Sequence, residues 1–273
     1  MQEKLPHLRS IGIFDSGVGG LTVMQQILHA LPQENVVYFG DTARVPYGGK
    51  SRETVLRYSI ENSIFLMEQD IKLLVIACNT ASAYAGDKLK QVFNIPVVDV
   101  IAPAIQEVLK TTKNGRIAIL GTRGTIQSGV YQKGIQEALP HAQITGIACP
   151  LLVNLVEEHL ISHAATRMIV RDYLAPLRNK GIDTVVLGCT HYPLLRPMIE
   201  EELGNISIVD PALTCAQTVA DLLHASKLSH AHAIPQHRYY VSDDPEKFRI
   251  LGRDFLGMPL NHVEAIVSSD FRK

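Results

Sequence analysis

Short apolar runs recur along the chain, each closed by glycine, aspartate, cysteine or threonine, with longer stretches of helical period between them. This pattern predicts strands over 10–14, 35–40, 72–77, 96–98, 116–120, 143–147, 184–187 and 207–209, and helices over stretches such as 52–67 and 164–177. Strands that are apolar throughout, rather than alternating, belong to parallel sheets covered on both faces, so the chain reads as α/β. Such sheets bind ligands at the carboxyl ends of their strands. The residues just past those ends are the DSGVGG loop at 15–20, Asp41-Thr42, Cys78-Asn79-Thr80, Gly121-Thr122, Cys149-Pro150 and Cys189-Thr190-His191. They are small, polar or reactive, which packing alone does not require.

The pattern is written twice. "DIKLLVIACNTAS" matches "GIDTVVLGCTHYP", with Cys78 and Cys189 separated by 111 positions (189 − 78), and the same offset sets the 94–99 segment against 205–210. "IGIFDSG" faces "IAILGTR" at an offset of 106 (117 − 11), and "VVYFGD" faces "ITGIAC" more weakly. The expected architecture is therefore two pseudo-symmetric doubly wound α/β domains, mainly parallel, facing a central active-site cleft. Residues 1–98 plus 211–273 form the first and residues 99–210 the second, with the C-terminal segment around "RYYVSDDPEKF" returning to the first.

At 273 residues, 46% hydrophobic and 19% charged, with a formal net charge of −1, the chain has the balance of an ordinary globular enzyme. No global field points to nucleic acid or an anionic membrane. No apolar run reaches the roughly 20 residues of a membrane span, and the N-terminus has no secretory signal pattern, so the expected compartment is the cytoplasm. Its four cysteines contain no C-x-x-C pair, which suggests neither a disulfide framework nor a zinc knuckle.

A lone cysteine after an apolar strand is usually a small buried hydrophobe, and Cys149 and Cys215, which have no twin, are read that way. Cys78 and Cys189 are twins, each followed by polar groups. Thiols on opposite walls of a substrate-sized cleft cannot both reach one metal ion at about 2.3 Å. "GGKS" is not a P-loop, because Arg44 stands where that motif needs glycine. A Cys–His hydrolase would use Cys189 and His191 but leave Cys78 idle, and a binding protein would need neither thiol. Two opposed thiols contain both halves of a proton exchange: the thiolate takes a proton from carbon and the opposite thiol returns one from the far face. Asp15 is placed to assist one cysteine and His191 with Glu157 the other. Ser16, Asn79, Thr80, Thr190 and loop amides would hold carboxylates, and the DSGVGG amides could cradle an anion. Taken alone, Glu157 reads as a solvated helix carboxylate.

"GIFDSGVGGLTV", "YFGDTARVPYGGKS", "ACNTASA" and "LGCTHYPLL" resemble, in order and spacing from about residue 11 to 215, the motifs of the bacterial glutamate racemases. This is a family of cofactor-independent amino-acid racemases in the aspartate/glutamate superfamily. The resemblance implies catalytic acid/bases at Cys78 and Cys189, with Cys78 acting on D-glutamate and Cys189 on L-glutamate. It implies substrate contacts at Asp15, Ser16, Tyr47, Gly48, Asn79, Thr80, Thr190 and His191, and an assisting carboxylate at Glu157, near Asn154 where the family commonly has proline. It further implies L- and D-glutamate as ligands, a supply of D-glutamate for peptidoglycan, and neither metal nor pyridoxal phosphate; no nucleic-acid or membrane partner is expected, and a homodimer is an open possibility for the assembly. An aspartate racemase is the nearest rival, separated by pocket length.

Overall fold

The computed structural model describes residues 5–230 and 234–266; residues 1–4 and 267–273, the outer ends of the first expected domain, lie outside the described residues. All eight marked strands form: β1 (Ser10–Asp15), β2 (Val36–Gly40), β3 (Ile71–Ile76), β4 (Val97–Asp99), β5 (Arg116–Gly121), β6 (Gln143–Ala148), β7 (Thr184–Gly188) and β8 (Ser207–Val209). Two strands that the hydrophobic pattern did not mark follow, β9 (His237–Val241) and β10 (Val263–Ala265). Among the described residues every strand pairing is parallel, as fully buried strands such as β1, β3 and β7 require.

One sheet runs β10-β9-β2-β1-β3-β4 and the other β6-β5-β7-β8, so the order β2-β1-β3-β4 is repeated as β6-β5-β7-β8. The register repeats too. Ile11 pairs with Leu73 and Val36 in the first sheet, and their counterparts Ile117, Thr184 and Ile144 pair in the second. Leu74 opposite Val97 becomes Val185 opposite Ile208. The sequence offsets are therefore a physical superposition of two sheets, residue on residue.

One apolar core runs through both halves, including Ile11, Leu73, Ile119, Val186 and the fully buried Cys149 and Cys215. The other face of the first sheet packs Phe14, Val37, Phe39 and Ile76 against Val55, Leu66 and Leu89 of the helices Arg52–Met67 and Asn79–Val92. The chain end adds β9 beside β2 and β10 beside β9. At the opposite end of the sheet from the candidate site, Lys72 Nζ sits 2.6 Å from Glu34 Oε2, both side chains buried, and donates to the carbonyl of Leu228 at 2.7 Å.

Candidate active site

Cys78 and Cys189 lie just beyond β3 and β7, at equivalent strand ends, and line one cavity together with Ser16, Tyr47, Gly48, Asn79, Thr80, Thr190 and His191. Val45, Pro46, Thr122 and Val153 complete the lining. The two halves meet around it. Thr22 Oγ1 donates to the Thr190 carbonyl at 3.0 Å, the Tyr131 hydroxyl donates to Asn79 Oδ1 at 2.7 Å, and the Thr80 and Thr122 hydroxyls are 2.8 Å apart. The cavity measures about 20 Å³, room for a single water but not an amino acid, so the walls must part to admit a ligand. A larger groove of about 670 Å³, between β4, β8 and their following helices, holds neither thiol.

Each thiol has its own surroundings. Cys78 caps the helix Asn79–Val92: the Ala81 N–H points at its Sγ at 3.5 Å, and the thiol donates to Ser16 Oγ at 3.8 Å. Burial pushes the Cys78 thiol up to about 12, and the neighbouring Asp15 charge pushes the same way. Cys189 Sγ is 3.9 Å from His191 Nδ1, and His191 Nε2 lies 2.9 Å from Glu157 Oε1. Burial also raises the Cys189 thiol, further than Cys78. Burial therefore favours the neutral thiol form of both cysteines.

The sequence pairs Glu157 with His191 beside one cysteine, although by itself it reads as a solvated helix carboxylate; the structure brings its carboxylate onto the imidazole beside Cys189. Asp15 is fully buried at the end of β1. Its Oδ2 accepts the Gly17 N–H at 2.9 Å, while its Oδ1 is buried without a hydrogen-bond partner. Burial raises its pKa and His191 pulls it back down. The hydrogen-bond partners of Cys78 are Ser16 and Ala81, so Asp15 acts on that thiol through its charge rather than by direct contact.

The glycines of the DSGVGG loop have a reason other than an anion cradle. A Cβ on Gly19 would stand 2.3 Å from Thr190 Oγ1 and 2.5 Å from His191 Cε1, so glycine is what lets this loop lie against the second wall. Phe255, near the chain end, packs edge-on to His191 with ring centroids 5.2 Å apart. Its role and that of Thr122 escaped sequence reasoning: Thr122 stood at a marked strand end without a partner to give it meaning, and nothing local links Phe255 to residue 191.

Among the described residues no three His, Cys, Asp or Glu side chains gather as metal ligands, and no helix is long and apolar enough to cross a membrane. Residues 11–219 match the family model for Asp/Glu/Hydantoin racemase. The chain is 49% identical over 257 residues to the glutamate racemase of Geobacter metallireducens, covering 93% of this chain and 95% of that one. Its fold superposes with a TM-score of 0.92 on glutamate racemase isoform RacE1 from Bacillus anthracis, at 38% identity over 95% of this chain and 98% of that one. The glutamate racemase of Francisella tularensis, solved in complex with D-glutamate, gives a TM-score of 0.91 at 36% identity, over 95% and 98% of the two chains. The chain thus shares sequence and fold with known glutamate racemases over nearly its whole length, and it belongs to the Asp/Glu/hydantoin racemase family, among its glutamate racemases.

Proposed function

We propose that this enzyme interconverts L- and D-glutamate by a two-base exchange between Cys78 and Cys189. The observation that carries the reading is that both sulfurs line one cavity from equivalent ends of a duplicated sheet. One thiolate removes the α-proton; the opposite thiol delivers a proton to the other face, and the carbon inverts. In the reverse direction the two exchange roles. Ser16, Asn79, Thr80, Thr190 and the backbone of Tyr47 and Gly48 surround the space for the substrate and supply the donors its carboxylates need. The Ala81 N–H favours charge on Cys78, and the His191 ring held by Glu157 assists Cys189.

Burial favours the neutral form of both thiols, so the working thiolate forms when substrate enters and brings its own ammonium beside the sulfur. The D-glutamate produced is the form built into peptidoglycan, and the reading is of a cytoplasmic enzyme with free glutamate as its ligand. The two domains carrying the walls are residues 1–98 with 211–273 and residues 99–210; membership of β9 and β10 in the first sheet supports that division.

The test is incubation of the purified protein with L- or D-glutamate in deuterated water, following optical rotation and the α-proton together. Racemisation with deuterium entering the α-carbon of the product enantiomer supports the reading. Rotation that never changes overturns it.

A further inference from the structure

Behind the cavity wall at 45–48 lies a buried polar network that the two-thiol exchange leaves unused. Asp41, fully buried just past β2, is its centre. Its Oδ2 accepts the Tyr47 hydroxyl. Arg44 Nε lies 2.9 Å from Oδ1 and 2.8 Å from Oδ2, and Ser242 Oγ donates to Oδ1 at 3.0 Å. Asn62 Nδ2 donates to the Tyr47 hydroxyl at 3.0 Å and receives an Arg44 N–H at 2.9 Å on its Oδ1. The chain end closes the arrangement: the Ala43 N–H donates to Ser242 Oγ at 2.9 Å and the Asp243 N–H to Thr42 Oγ1 at 2.8 Å.

Tyr47 lines the cavity, but the groups that engage its hydroxyl, Asp41 and Asn62, do not. The hydroxyl is therefore a tether, and what Tyr47 offers a substrate is its ring and main chain. The next residue has no slack, because a Cβ on Gly48 would stand 2.5 Å from Thr122 Cβ across the cleft. A small shift of Tyr47 changes the shape of the cavity. We infer that Asp41 is a positioning residue for glutamate binding: it touches no substrate, but holds Tyr47 and so fixes the wall at 45–48, with Ser242 of the returning chain end bracing it. The inference rests on the reading that Tyr47 and Gly48 meet the substrate.

The experiment measures kcat and KM in both directions for Asp41→Asn, Tyr47→Phe, the double variant and Ser242→Ala. Loss of a charge-assisted tether should raise KM for both enantiomers about tenfold in Asp41→Asn and Tyr47→Phe, with kcat within about threefold of wild type. The double variant should be no worse than Asp41→Asn alone, because Tyr47 acts through Asp41. Ser242→Ala should move KM the same way by about twofold to threefold. A merely structural role would lower the active fraction, and hence kcat, at unchanged KM. Unchanged KM, or effects of Asp41→Asn and Tyr47→Phe that multiply in the double variant, overturns the inference. If Asp41→Asn does not fold, Tyr47→Phe and Ser242→Ala decide it by the same KM readout. A wild-type protein that racemises glutamate while these variants keep its KM sinks the positioning role alone; a wild type that does not racemise sinks the underlying reading as well.

Discussion

Cys78 and Cys189 leave equivalent ends of β3 and β7, in sheets whose registers superpose residue on residue, yet their surroundings differ. Cys78 opens a helix of 14 residues and has a backbone N–H aimed at its sulfur. After Cys189 the short turn Tyr192–Leu195 comes before the helix Arg196–Leu203, and an imidazole backed by a carboxylate stands beside the thiol instead. The repeated sheets set where the two sulfurs sit, while what stands beside each differs: a helix N-terminus on one wall, a His–Glu pair on the other. The two walls should therefore fail under different mutations.

The largest break comes where the walls touch. Gly19→Ala drives a methyl group into Thr190 and His191, displacing the second wall while leaving the Cys78 surroundings in place. Misplacement of about 1 Å costs on the order of a hundredfold in rate, so kcat/KM should fall by at least that much in steady-state assays, with little loss of thermal stability. Near-wild-type activity would mean that the loop contact does not set the position of His191.

Glu157→Gln sharpens the comparison, since it removes charge from the Cys189 wall alone. Racemisation should drop roughly tenfold to a hundredfold, equally in both directions because mirror-image substrates have equal free energies. Elimination from a 3-chloroglutamate should be slowed for one enantiomer only, the one whose base is Cys189. Equal slowing of both enantiomers would show that the pair does not belong to one wall.

Lys72→Met acts far from both walls. It leaves the buried Glu34 without its charged partner, only the His230 N–H remaining on Oε1, which costs about 3–5 kcal/mol, while KM for glutamate should stay unchanged. Denaturant unfolding beside steady-state kinetics checks both halves of that expectation.

The smallest effect is on thiol reactivity. Burial raises both cysteines in the folded enzyme, Cys78 to about 12. A raised folded value means the native state holds its proton more tightly than the unfolded chain. The stability this brings is present below the unfolded value of about 8.5 and is lost as pH climbs toward the folded value. Alkylation of the free enzyme by iodoacetamide, mapped to each cysteine by mass spectrometry, should be slow at neutral pH and climb through the alkaline range. Rapid alkylation of either at pH 7 would contradict neutral thiols in the closed cleft.

Much of this was legible because it is local. Apolar runs marked the first eight strands, and the repeated strand-end cysteines marked the two walls before any fold was known. What was not legible depends on contacts between distant segments. β9 mixes His237 and Arg238 with tyrosines and becomes a strand by pairing with β10 and with β2, the latter some two hundred residues earlier in the chain. The close approach of Gly19 to Thr190 and His191 was not legible either, because those neighbours are brought by the other half. Tyr47 was read as a substrate contact, but its hydroxyl belongs to Asp41, which no spacing rule connects to it.

The central claim is that each thiol serves one face of the α-carbon, and single serine variants given chlorinated substrate test it most directly. Replacing either cysteine by serine removes a usable base at that wall, so racemisation should fall by at least about a thousandfold in both variants. Elimination from 3-chloroglutamate needs only one base: the α-proton goes to the remaining cysteine, chloride leaves the β-carbon, and the resulting enamine tautomerises and hydrolyses to 2-oxoglutarate and ammonium. Cys78→Ser, which keeps Cys189, should release 2-oxoglutarate from the L-configured substrate, and Cys189→Ser from the D-configured one. Opposite preferences in the two variants are the predicted result; the same preference in both, or full racemisation by either, would contradict the two-thiol account.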